Sequence, residues 1–158
     1  MLNIFEFIEQ NNFEINLGSW FNEIWLPLFN KTELLITLNI LHFIHYGTSK
    51  SVLDGNTTLN YRELKRDFEK ILNNNKIKYK KIKYEEIVNN KNYYELVKNE
   101  IKNITPNNLN KSTWFILDVL QFKMLIMRLS TNVAKEICEY YVTLENILHK
   151  YKLHNYFY

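Results

Sequence analysis

The sequence predicts a mainly α fold of the α+β class: one compact helical domain over residues 1–158, with a small two-stranded sheet. Three observations carry that reading. Breakers are scarce, with three Gly and two Pro in 158 residues, which favours helices. Apolar residues recur every three or four positions through much of the second half, the helical period. One lysine-alternating stretch, "KIKYK", and one apolar run, "TWFIL", have the character of short strands. A hydrophobic share of 46% is enough for a core without staples in a chain of this length. Residues 1–57 read as an N-terminal helical portion of the same domain as 58–158.

Residues 4–9 form a short helical turn with Phe5 and Ile8 on one side. Ser19 is placed to cap a second turn carrying Trp20, Phe21, Ile24 and Trp25, which Pro27 ends. From Thr32, "TELLITLNILHFIHY" reads as a helix apolar almost all round, the centre of a domain or half of an interface. Gly47 closes it, and "SKSVLDGNTT" is a loop. Asn60 stands three residues before Glu63, a capping-box spacing, and Tyr61, Leu64, Phe68 and Ile71 follow at helical intervals. Asn73, Asn74 and Asn75 end that helix.

The stretch "NNNKIKYKKIKY" (73–84) then raises a problem of parity. Ile77 and Tyr79 alternate with lysines, but the Lys80-Lys81 doublet moves Ile82 and Tyr84 to the other phase. An unbroken strand cannot bury all four on one side. A bulge or a strand handing over to a helix resolves this, and the handover is preferred because "YEEIVNN" and "NYYELVKNEIKNI" begin helices. Pro106 and "NNLNKS" form a second loop. "TWFIL" reads as a buried strand paired with 77–80. Asp118 with Gln121 starts a helix bearing Phe122, Leu125, Ile126 and Leu129, and "ST" breaks it. A last helix spans 132–151, its apolar residues from Val133 to Tyr151 spaced 4, 3, 4, 3, 4. That seam suits a coiled coil or a core helix, and its shortness favours the core helix.

Several function classes lose support at once. Cys138 is the lone cysteine, which excludes a disulfide framework or thiolate cage and fits a reducing, intracellular setting. "MLNIFEFIEQNN" carries acids where a secretion signal needs bases. The apolar run 34–46 is too short to span a bilayer, so no membrane partner is expected. Gly18, Gly47 and Gly55 cannot build a phosphate loop. His42 and His45 share a metal-compatible spacing without a third ligand, so they read as core or interface histidines. His149 and His154 read as solvated. Cys138 falls inside a packed helix, and Glu85-Glu86 as surface acids. The expectation is no enzyme, no catalytic residue, no metal and no cofactor.

Charge is more informative. Residues 1–60 hold two Lys against six acids, or −4, while residues 61–158 hold eighteen bases against eleven acids, or +7. Within 61–83, nine bases face three acids. Arg62, Arg66 and Lys70 fall at i, i+4 and i+8 along one helix, with Lys65 beside them. Such like charges cost a helix slightly, a cost an anionic ligand offsets. Lys76, Lys78 and Lys80 follow on one strand face, interleaved with Ile77 and Tyr79, and Lys81 and Lys83 extend the run. Phosphate backbones bind arrays of this kind by counterion release. Lys, Asn, Ile, Tyr and Phe are also the residues of AT-rich codons, so a solvated lysine face is the plain alternative.

From Lys65 onward, "DFEKILNNNKIKYKKIKYEEIVNN" and "YYELVKNEIKNITPNNLNKSTWFILDVLQFKMLIMRLSTNVAKEICEYYVTLENILHKY" resemble the MSV-type domain of entomopoxvirus and iridovirus regulators. That domain is similar in its closing helices to Bro and KilA-type domains. The resemblance covers about 95 of the 158 residues. It implies a viral nucleic-acid-binding regulator, with DNA the expected ligand, acting in the infected cell's cytoplasmic viral factory or nucleus. It also implies a helix-turn-helix-like pair, 118–129 and 132–151, contributing Lys123, Arg128 and Lys135. Glu136, Glu139 and Glu145 make the last helix a poor recognition element, which places nucleic acid on the 62–83 surface and the 123–135 turn. Tyr79 is placed to stack on a base. The rival reading is a protein-interaction module, binding a host partner or a second copy through 34–46 and the Trp-rich 19–28 segment.

Overall fold

A three-stranded antiparallel sheet organises the helices in a computed structural model of the chain, which describes residues 3–13, 20–46 and 61–157. The elements are α1 (Ile4–Gln10), an irregular helical turn (Phe21–Trp25, then Leu26–Leu28), β1 (Glu33–Leu35), α2 (Leu38–Tyr46), α3 (Tyr61–Asn74), β2 (Lys80–Lys83), α4 (Tyr84–Val88), α5 (Lys91–Ile101), α6 (Pro106–Leu109), β3 (Thr113–Asp118), α7 (Val119–Arg128) and α8 (Asn132–Phe157). The mainly helical reading holds. The expected cap at Ser19, helix stop at Gly47, loop at 49–58 and cap at Asn60 lie outside the described residues.

The strand order is β1-β3-β2, so β3 is central, and its stretch from Trp114 to Leu117 is apolar because both its faces are covered. Phe115 and Leu117 join the main core with Leu34, Leu64, Phe68, Leu72, Phe122 and Ile137. Trp114 and Ile116 point the other way, into a smaller core with Leu35, Ile82, Ile87 and Val97. The two faces settle the parity problem. Ile77 and Tyr79 serve the main core, while Ile82 and Tyr84 serve the smaller one. The handover at Lys83–Tyr84 is present, and no single face has to bury all four.

Three expectations need correction. The sheet has three strands, not two, because "ELL" at 33–35 pairs with β3 (Leu34 with Leu117) instead of opening the helix. A short apolar run such as residues 34–36 carries no period to distinguish strand from helix. The strand expected at 77–80 lies at Lys80–Lys83, with Lys80 opposite Ile116 and Lys83 opposite Thr113. Phe7 of α1 turns inward, its ring 5.4 Å from Tyr151 and 5.3 Å from His154 of α8. His154 is accordingly half-buried and not solvated.

Local chemistry explains where the helices start. Asn3 and Glu6 form a reciprocal capping box at α1. Asn90 caps α5, Asp118 accepts the Gln121 amide at α7, and Thr131 accepts the Ala134 amide at α8. The "ST" break thus doubles as the start of α8, which runs to Phe157, past the expected end at 151. The irregular turn buries Trp25 completely, and its indole Nε1 donates to Tyr141 Oη at 2.8 Å.

Candidate nucleic-acid interface

Helix α3 sorts its residues cleanly. Leu64, Phe68 and Leu72 are buried against the main core, and Arg62, Arg66 and Lys70 are exposed on the opposite side. The arginine end of that stripe borders a cleft of about 560 Å³, walled by α3 on one side and by the segment between Asn103 and Thr113 on the other. Arg62, Lys65, Arg66 and Lys111 line it, and Glu69 is the lining carboxylate. The Glu69 carboxylate is engaged. Lys81 Nζ lies 2.8 Å from its Oε1, and the Tyr79 hydroxyl donates to the same oxygen at 3.2 Å. Arg62 and Arg66 carry no ion pair among the described residues.

The sheet register extends this basic surface. Lys81 and Lys83 stand opposite Phe115 and Thr113, and cross-strand partners share a face. Both lysines therefore lie on the α3 side of edge strand β2, next to the cleft.

Lys65 departs from expectation. Its ammonium sits 4.1 Å from the centre of the Tyr61 ring and 4.4 Å from that of Trp114, and it donates to the Thr113 carbonyl. It forms the inner wall of the cleft and is not a surface phosphate contact. Burial lowers its pKa to about 8, against the opposing pull of the Glu100 charge. Glu100 in turn accepts the Tyr61 hydroxyl at 2.6 Å and the Leu38 amide at 3.0 Å. Burial first, and the Glu100 carboxylate second, push the Tyr61 hydroxyl far above its ordinary pKa.

The remaining sites divide. Lys70, Lys76, Lys78, Lys80, Arg128 and Lys135 are exposed. Lys78 and Lys80 border a separate groove of about 330 Å³ whose lining includes Glu33 and Asp118, which offset their charge. Lys123 is half-buried, over the rings of Trp25 (5.2 Å) and Phe29 (5.4 Å), so its charge is committed within the chain. Tyr79 is half-buried: its ring meets Phe115 edge-on at 5.5 Å, and its hydroxyl is held by Glu69 and Asn73. Lys111 escaped sequence reading. Its only signal is a lone base between an Asn-rich loop and a buried strand.

His42 is buried and stacked on Tyr46, whereas His45 is exposed. No group of three metal-ligating side chains occurs among the described residues. Cys138 is exposed, a correction to its expected packed position, because Ile137 takes the inward place on α8. No helix among the described residues is long and apolar enough to cross a membrane. Much of the segment expected to serve a protein partner is buried within the chain, while Leu26 is exposed. Trp20, Trp25, Leu34 and Ile40 through Ile44 are all buried in the chain's own core.

Residues 2–148 match the MSV199 domain family. Among relatives, the protein is 30% identical over 155 residues to "Putative MSV199 domain-containing protein 420R" of Invertebrate iridescent virus 6, covering 96% of this chain and 31% of that one. It is 27% identical over 155 residues to the 468L protein of the same virus and the same description, covering 96% and 37% respectively. The chain thus spans about a third of the length of these relatives. No solved structure matches it significantly.

Proposed function

The chain belongs to the MSV199 domain family, and from that premise and the cation-lined cleft we propose that it is a viral nucleic-acid-binding regulatory module, with DNA the expected ligand. One observation carries the reading: Arg62, Lys65, Arg66 and Lys111 converge on one cleft whose carboxylate, Glu69, is already engaged by Lys81. Phosphates are the natural counter-charge for such a surface, and guanidinium forks bind them in two-point contacts. Lys70 and Lys83 supply the flanks. The kinship to Bro and KilA-type domains and a helix-turn-helix role for α7 and α8 form part of the same proposal, resting on the closing-helix resemblance.

The test is retention of nucleic acid across a salt series. Each phosphate contact released should contribute a log–log slope of roughly 0.9 on duplex and about 0.7 on single strands. A flat response between low and physiological salt would remove the proposal.

A second reading is favoured by a separate observation. Leu120 and Met124, one turn apart on α7, are exposed to 69% and 47%. They supply an apolar strip for a host protein or a second copy. Light scattering over a concentration series, repeated with Leu120→Ser, tests the homodimer.

A further inference from the structure

We infer that the cleft beside α3 takes a single phosphate-bearing nucleotide, at a strand end or free, and not the continuous backbone of a duplex. The inference rests on the polyanion reading above and deepens it. Duplex phosphates lie along a convex surface, where separate exposed cations meet them one by one. Here the cations face a shared recess. Arg62 and Arg66 come from α3, Lys111 from the segment before β3, and Lys65 closes the inner wall. Only a unit that enters the recess can contact all of them.

Its size and lining fit such a unit. About 560 Å³ falls within the ordinary range of small-molecule sites, which is roughly 300–1,000 Å³. A terminal phosphomonoester carries close to two negative charges, against one for an internal diester. That matches four cations facing one engaged carboxylate. Asn103 and Asn108 also line the recess; the Asn103 amide nitrogen donates to the Asn99 carbonyl, and a side-chain amide carries both the donor and the acceptor that a base edge requires. The segment 103–113 thus supplies neutral hydrogen-bonding groups opposite the charged wall.

The experiment compares single-stranded oligonucleotides of one sequence, with a 5′-phosphate, with a 3′-phosphate or with hydroxyls at both ends, and adds free adenosine monophosphate as a fourth ligand. Binding is read by calorimetry at fixed salt. The expected result is at least ten-fold tighter binding of one phosphorylated end, lost in Arg62→Gln/Arg66→Gln. Mononucleotide binding that the same double variant abolishes, without an end preference, would assign the cleft to the free nucleotide. Circular dichroism and the emission of buried Trp25 and Trp114 confirm that the variant is folded. Equal affinity for all three strands, with no heat from the mononucleotide, overturns the inference. If strand binding then still falls with salt, the broader reading stands; if nothing binds at any salt, both fall.

Discussion

Lys81 Nζ lies 2.8 Å from Glu69 Oε1, joining edge strand β2 to α3 at the border of the basic cleft. The pair holds the carboxylate that would otherwise serve a neighbouring arginine. Glu69→Gln removes that negative charge and should raise affinity for single-stranded nucleic acid roughly two- to five-fold at low salt. The side chains are 43% and 31% exposed, so the stability lost should stay within about 1 kcal/mol. Filter binding and urea unfolding measure the two effects. An unchanged affinity would take the cleft out of the binding surface.

The two basic groups should behave differently. Arg62 and Arg66 face a recess with one engaged acid, whereas Lys78 and Lys80 share their groove with Glu33 and Asp118. Arg62→Gln/Arg66→Gln should lower the log–log salt slope by about 1.5 to 2. Lys78→Gln/Lys80→Gln should lower it by less than half as much. The reverse order would place the polyanion along β2 and its preceding segment.

Glu100 holds three parts of the fold together. From α5 it accepts the Leu38 amide at the start of α2 and the Tyr61 hydroxyl of α3. Glu100→Ala leaves these two donors, and the Trp114 indole that reaches the same carboxylate at 3.5 Å, without their acceptor. At a cost of about 1–3 kcal/mol for each buried donor, stability should fall by roughly 2–4 kcal/mol in urea unfolding. Glu100→Gln keeps an acceptor and should recover part of that loss. A neutral Glu100→Ala would mean that water replaces the carboxylate.

What could be read in advance depended on how local the deciding forces are. The Arg62–Arg66–Lys70 stripe was legible because helical period and charge sit in one short segment. The caps at Asp118 and the handover at Lys83–Tyr84 were equally local. Strand β1 was not, because "TELLIT" becomes a strand only through its pairing with β3, more than eighty residues away. Lys65 looked like one more surface base. Its inward turn depends on Trp114 and Thr113, which no spacing within α3 announces. Lys111 joined the cleft for the same reason. A site assembled across the sheet is visible only once the register is known.

Stability should vary with pH in a way that reports directly on Lys65. Its neighbours are Tyr61, Arg62 and Arg66 on α3, Glu100 on α5, and the Thr113 carbonyl and Trp114 ring on β3. Burial holds its pKa at about 8, below the ordinary 10.5. Between those values the unfolded chain binds a proton that the folded chain has released, so stability rises with pH. Tyr61 acts in the opposite sense. Its pKa is raised above the ordinary 10.0, so above pH 10 the unfolded chain loses a proton that the folded chain keeps, and stability falls. The difference between the native chain and Lys65→Met should therefore grow by roughly 2 kcal/mol from pH 8 to pH 10, at about 1.4 kcal/mol per unit at most. Both proteins should decline beyond pH 10. Anion affinity should weaken above pH 8 in the native chain alone, since a bound phosphate favours the protonated amine. Urea unfolding at fixed ionic strength resolves the first effect and calorimetry the second. A constant difference across pH 8 to 10 would mean that Lys65 titrates as an exposed amine and does not rest over the Tyr61 and Trp114 rings.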